Sequence, residues 1–470
     1  MKFMKRILTF LLLFSVMLFS SCHSSKKEKD ISFVRVPVKK EHIPPGVVQK
    51  VYVAGDSSQS YAVYLPANYH DSLKWPVIYF FDPQAAGALP VNRYASLAEW
   101  FGYILFGSNN LKNRMSSEEM NRYIRSFFDD TYKRFSLDEK RITLAGFSGG
   151  ARVASTIAIT DPSVRGVIAC GGGLPNTRQL PAIHFDFLMF AGTEDFNLPE
   201  LLDLDQYLQS QSCRHFLIRF AGKHEWPDPL VFKNAFFWLD FNAMKDSLIP
   251  KNDSLIQLFE NNTLYAIHRL PATSVREKTE LLSRMITFLQ GLAPTEKYEK
   301  QLTSLYAGSA YQQQQKVFAG LLREESRQQQ FYIRAFTSRS LPWWKDAVHK
   351  LNQEIRQSTG DRKSSKLRLL HFLSLASYMQ ADAALQHHKD KEAEKYVAVY
   401  KLVDPENSYV YYFSAVLAAR KGDREKTLKW LRKAVDLGFD KKNELTGNQD
   451  FEFLKGDPEF VRITGNRGEW

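Results

Sequence analysis

Between Val51 and Phe220 the apolar residues come in short unbroken runs separated by polar and glycine-rich breaks. Val77-Ile-Tyr-Phe-Phe81, Ile142-Thr-Leu-Ala145, Val164 to Ala169, Phe185 to Ala191 and His215 to Phe220 are the clearest. Runs of this length predict strands buried on both faces. Tyr103 to Phe106 adds another, while Val51 to Ala54 and Tyr61 to Leu65 alternate as outer strands with one wet face do. Between the runs the period changes. Met120, Ile124, Phe127, Phe128, Tyr132 and Phe135 mark one face of a long helix, and Ala151 to Ile159 is a second helix former. Strand after strand followed by a crossover predicts a mostly parallel α/β sheet.

After Leu230 to Met244, an amphipathic helix, the strand signal disappears. From Ser254 onward Gln, Lys, Arg, Leu and Ala dominate, which reads as a string of helices. Lys389-Asp-Lys-Glu-Ala-Glu-Lys-Tyr-Val and Gly422-Asp-Arg-Glu-Lys-Thr-Leu-Lys-Trp align at an offset of 33 residues. That spacing resembles the tetratricopeptide repeat, with predicted helices over Tyr409–Arg420 and Arg424–Leu437. Asp450-Phe-Glu-Phe-Leu with Asp457-Pro-Glu-Phe460 resembles the tail that caps such arrays, and a plain helical bundle is the other reading. The expected domains are 46–245 (α/β), 254–385 (helical) and 386–465 (repeats and cap). Their boundary is expected in the polar stretch Asp246 to Asp253, leaving the α/β half with its own core.

The N-terminus changes the picture of location. Lys2, Lys5 and Arg6 precede the apolar run Ile7 to Phe19, and Ser20-Ser21 lead to Cys22. This resembles a bacterial lipoprotein signal over 1–21, with Phe19 standing where Leu is favoured. It implies lipidation of Cys22, a polar tether over 22–45, and a place in the cell envelope, membrane-anchored and facing the periplasm or exterior. A plain secretory signal or an uncleaved anchor is the alternative, and either way the body is exported. Formal charge is +12 over 470 residues, and the basic residues are scattered rather than interleaved with aromatics, so nucleic acid is not an expected partner. Cys170 and Cys213 fall on strands read as non-adjacent, which predicts two buried thiols. No His or Cys spacing predicts a metal site and no glycine-rich phosphate loop appears. No cofactor is expected.

Three expected strand ends carry reactive groups. Gly146-Phe-Ser-Gly-Gly150 interrupts a strand and opens a helix, the setting in which G-x-S-x-G exposes a serine on a sharp elbow. Gly192-Thr-Glu-Asp195 follows Phe185–Ala191, and Gly222-Lys-His-Glu-Trp-Pro227 follows His215–Phe220. Ligands gather at such carboxyl ends. With Trp75-Pro-Val77 and Phe80-Phe-Asp-Pro83, these motifs resemble the α/β-hydrolase superfamily, near its dienelactone hydrolase, feruloyl esterase and polyhydroxybutyrate depolymerase members. The resemblance covers roughly residues 46 to 245. It implies Ser148 as nucleophile, His224 as base and Asp195 as the acid that orients it, with Glu194 as competitor for the last role. It also implies an oxyanion hole from the Gly149 N–H and an N–H of the loop after Val77–Phe81, Gln84 or else Ala85. Trp226 and Asn109 are candidates to line the substrate pocket, although packing or a turn explains each equally well. Gly171 to His184 is short and proline-broken where relatives insert a cap helix, which points to an open cleft for esters on bulky or polymeric partners. The expected activity is a serine carboxylic-ester hydrolase, peptidase and amidase remaining open. The alternative is a silent hydrolase-fold scaffold that binds a protein partner through its helical half.

Overall fold

The computed structural model describes residues 43–175 and 182–465. The signal segment, Cys22 and most of the tether lie outside the described residues, as does part of the stretch Gly171 to His184.

Eight strands form one sheet in the order β1-β2-β4-β3-β5-β6-β7-β8. They are β1 (Val48–Val53), β2 (Asp56–Tyr64), β3 (Trp75–Phe81), β4 (Ile104–Ser108), β5 (Leu137–Phe147), β6 (Val164–Cys170), β7 (Asp186–Gly192) and β8 (His215–Phe220). β1 and β2 form an antiparallel hairpin, β2 meets β4 antiparallel, and from β4 to β8 all neighbours are parallel. Every residue of β3 is buried, as its unbroken apolar run requires of a central strand covered on both faces. This is the mostly parallel sheet expected from the spacing of the runs.

Helices cover both faces. α1 (Ala88–Phe101), α2 (Ser117–Arg134), α3 (Gly149–Thr160), α4 (Leu198–Leu208) and α5 (Pro229–Lys245) supply the crossovers and the closing helix. Alternation along β3 divides the core. Ile78 and Phe80 join Tyr94 of α1 and Phe232 of α5, whose rings stack at 3.8 Å. Tyr79 turns the other way and stacks on Phe128 of α2 at 4.4 Å. Ser116 caps α2 by accepting from the Glu119 N–H at 3.1 Å. Arg141 of β5 donates to Asp240 of α5 at 2.9 Å and to the Tyr103 hydroxyl at 3.0 Å. Tyr103 in turn donates to Asp240 at 2.8 Å, so the buried carboxylate is well supplied with donors.

The core does not stop at α5. α6 (Asp253–Arg269), α7 (Val275–Leu289) and α8 (Glu296–Ala307) pack into the same apolar cluster. Phe288 of α7 lies 4.9 Å from Trp238 of α5 and stacks on Phe259 of α6 at 5.2 Å, and Phe259 meets Phe241 at 5.3 Å. The chain divides into two compact units between Gln315 and Lys316. The boundary expected at 246–253 is therefore displaced: the polar stretch there is a turn between packed helices, not a linker between cores.

The second unit is helical: the remainder of α9 (Ser309–Ser338), α10 (Leu341–Gln357), α11 (Gly360–Gln386), α12 (Asp390–Val403), α13 (Ser408–Arg420), α14 (Arg424–Asp436), the short α15 (Lys442–Thr446), a 3₁₀ turn (Gln449–Leu454) and α16 (Pro458–Gly465). Its core runs from Phe336 and Trp344 to Phe451 and Phe460. Inside it Arg368 donates to Glu325 at 2.7 Å, with both side chains buried and Ser365 donating to the same carboxylate. Among the described residues no helix is long and apolar enough to cross a membrane.

Candidate active site

β5 delivers Ser148 at the head of the sheet. Its backbone has φ 52° and ψ −117°, a conformation that a non-glycine residue adopts at a cost of about 1–3 kcal/mol. The neighbours explain how the turn closes. A Cβ on Gly146 would collide with the Gly150 carbonyl, and one on Gly150 with the Phe81 carbonyl of β3. The Ser148 N–H donates to Cys170 O at 2.8 Å, tying the elbow to β6.

β7 and β8 bring the other two groups. His224 Nε2 lies 2.9 Å from Ser148 Oγ, and His224 Nδ1 lies 2.9 Å from Asp195 Oδ1. An ionised Asp195 assigns the imidazole proton to Nδ1 and leaves Nε2 to accept from the serine hydroxyl. Asp195, not Glu194, is the partner; it is 1% exposed and also accepts from the Asn197 N–H at 2.8 Å. Asn197 Nδ2 donates to Gly171 O at 2.7 Å, joining the loop after β6 to the one after β7. Gly171 itself has φ +58°, and a Cβ there would stand 2.9 Å from Asp195 Oδ2 and 3.1 Å from His224 Cε1. The imidazole is held between two rings, Phe147 at 4.6 Å and Phe196 at 4.3 Å. Phe196 and Asn197 have no motif to mark them in the sequence beyond following Asp195.

Two further contacts brace the head of the sheet. Arg152 of α3 donates to Glu200 of α4 and to Leu174 O, both at 2.8 Å. Burial, and then the nearby Asp195 charge, push the Cys170 thiol well above its usual pKa, so it is no rival nucleophile. Cys170 and Cys213 are both unpaired; Cys170 ends β6 whereas Cys213 lies in the bend before β8 rather than on a strand, and it is half-buried rather than fully buried as expected.

The expected oxyanion and pocket residues fare differently. Gly149 is the first residue of α3, so its N–H has no acceptor within the helix. The Gln84 N–H, expected as the second donor, donates to Asp82 Oδ1 at 2.9 Å. Ala85, the alternative, has φ 61° and donates to Asp82 O at 3.1 Å. Both N–H groups are consumed by the turn that Asp82 builds. Trp226, expected at the substrate pocket, is 4% exposed and donates through Nε1 to Asp82 Oδ2 at 3.0 Å. Asn109 is spent on the sheet, where its Nδ2 donates to Ser60 Oγ at 3.2 Å. A cavity of about 490 Å³ lies elsewhere, lined by residues of the α5–α6 turn such as Met244, Ile249 and Asn252. Among the described residues no group of three or more His, Cys, Asp or Glu is placed to hold a metal ion.

No family model and no curated protein matches the chain. Among solved structures, an S-formylglutathione hydrolase of Staphylococcus aureus is 16% identical, covering 43% of this chain and 99% of that one, with a TM-score of 0.34. A CE1 ferulic acid esterase of the anaerobic fungus Anaeromyces mucronatus is 16% identical, covering 44% and 94%, with a TM-score of 0.33. A thermophilic esterase of Thermogutta terrifontis is 15% identical, covering 44% and 97%, with a TM-score of 0.33. It is this chain's own strand order, with a strained serine between β5 and α3, that gives its first unit the α/β-hydrolase fold.

Proposed function

We propose that the chain is a serine hydrolase that cleaves carboxylic esters through an acyl-serine intermediate. The observation that carries this reading is the continuous relay Asp195–His224–Ser148, with 2.9 Å at each step, ending on a serine held at a strained elbow. Ser148 Oγ attacks the ester carbonyl carbon as its proton passes to His224 Nε2, and the C=O π electrons move onto oxygen. When the carbonyl re-forms, the C–O bond to the alcohol breaks and the departing alkoxide takes the proton from His224. Water repeats the sequence on the acyl-serine, releasing the carboxylic acid and restoring the hydroxyl. Asp195 fixes the tautomer and stabilises the imidazolium at each proton transfer. The Gly149 N–H faces the developing oxyanion.

A fluorophosphonate probe tests the reading without a known substrate. Labelling is expected in the wild-type chain and absent in Ser148→Ala. Hydrolysis of short p-nitrophenyl esters should be lost in Ser148→Ala and His224→Ala alike, with the double variant scarcely worse than either, because the groups act as a unit. Labelling or wild-type turnover in Ser148→Ala would remove Ser148 as the nucleophile.

A further inference from the structure

Building on the hydrolase reading, we propose that the side-chain carboxamide of Asn113 is the second donor to the oxyanion. An acyl-transfer oxyanion is ordinarily met by at least two N–H groups, and the loss of one typically costs 10²–10³-fold in kcat. Gly149 supplies one. In the loop after β3, where the fold usually finds the other, the Gln84 and Ala85 N–H groups both donate to Asp82. The loop after β4 lies across that turn instead. The Asn113 N–H donates to Pro83 O at 2.9 Å, and Lys112 bridges to Gln84. Leu111, 2% exposed, anchors the loop from below, and its N–H donates to Ser108 Oγ at 3.1 Å.

This anchoring lays the Asn113 side chain on the residue after the nucleophile. A Cβ on Gly149 would collide with Asn113 Oδ1, with Cγ at 2.8 Å and Nδ2 at 3.0 Å from it. The carboxamide therefore packs against the Cα of Gly149, the residue whose N–H is assigned to the oxyanion. It is exposed and has no hydrogen-bond partner among the described residues. Rotation about χ2, a soft torsion in Asn, exchanges Oδ1 and Nδ2 at this position and turns an N–H toward the oxyanion. The backbone that places Asn113 is fixed by its own N–H, so the side chain can be altered without releasing the loop.

The test compares Asn113→Ala and the isosteric Asn113→Asp with wild type in the full-length chain, using p-nitrophenyl butyrate and a fluorophosphonate. Asn113→Ala should lower kcat by about 10²–10³-fold while KM stays within about threefold. Asn113→Asp should lower it at least as far, because a carboxylate repels the oxyanion it replaces a donor for. Both should keep the wild-type thermal midpoint. Wild-type kcat in Asn113→Ala, or a higher kcat/KM showing that the side chain only obstructs the site, would overturn the assignment and leave Ser148 catalysis standing. A wild-type chain that neither turns over the ester nor takes the label would instead sink the hydrolase reading underneath it.

Discussion

Ser148 stands at positive φ in a turn held on both sides: its own N–H donates to Cys170 O of β6, and Gly150, two residues on, lies against Phe81 O of β3. Strain of this kind persists only where surrounding contacts over-determine it. Gly171 serves the same site from behind, where the absence of a side chain lets Asp195 and His224 close at 2.9 Å. Gly171→Ala combines a positive φ with a Cβ 2.9 Å from Asp195 Oδ2, so it should push the acid and imidazole apart. A displacement near 1 Å costs about 10²-fold, and the expected result is a kcat lower by about that factor with KM little changed. Steady-state kinetics on a small ester checks it. The same substitution at Gly55, also at positive φ but with open space around it, should leave kcat alone.

At the scale of elements, α5 to α8 act as one layer. Lys245 closes α5 and donates to Thr287 O of α7 at 3.0 Å. Burial, and then the charge of Arg214, lower its pKa from the usual 10.5 to about 8. The fold thus prefers the neutral amine. Between pH 8 and 10.5 the unfolded chain holds more protons at this site than the folded one, so stability from Lys245 rises with pH across that window. Below pH 8 the site carries its full penalty. Lys245→Met should therefore stabilise the first unit near pH 7 by about 1–2 kcal/mol, after allowance for partial solvation and the lost hydrogen bond. The advantage over wild type should shrink toward pH 10.5. Thermal melts of both chains at the two pH values measure it.

At the scale of the molecule, the cut that matters lies at 315, not 250. A fragment ending at Pro250 would strip Phe259, Leu282, Met285 and Phe288 from Trp238 and Phe241. Losing one such aromatic from a core costs about 3–5 kcal/mol, and losing the set exceeds the usual stability of a domain. That fragment should be insoluble, whereas one spanning 43–315 should stay soluble and keep the small-ester rate of the full chain. Expression of both with ester assays decides it. This is also where the sequence was least legible. Unbroken apolar runs announce buried strands, and glycines around a serine announce an elbow, because both patterns are local. An amphipathic helix shows only that it has an apolar face, not which core receives it, so α6 to α8 read as the start of a separate helical region. Asn113, Phe196 and Asn197 are loop residues without period, and the Trp226–Asp82 bond joins positions 144 apart. Such contacts exist only once the sheet has assembled.

The distances in sequence that separate the relay also set a clock. Ser148 and His224 are 76 residues apart, and His224 follows β8, the outermost strand of the parallel side. Parallel strands pair late because each needs a long loop closed first. During refolding, the serine is therefore an ordinary alcohol until the last strand docks, however complete the rest of the sheet has become. Pulses of fluorophosphonate applied at successive times after dilution from denaturant would thus time the arrival of β8. The emergence of reactivity should lag the return of helical circular dichroism.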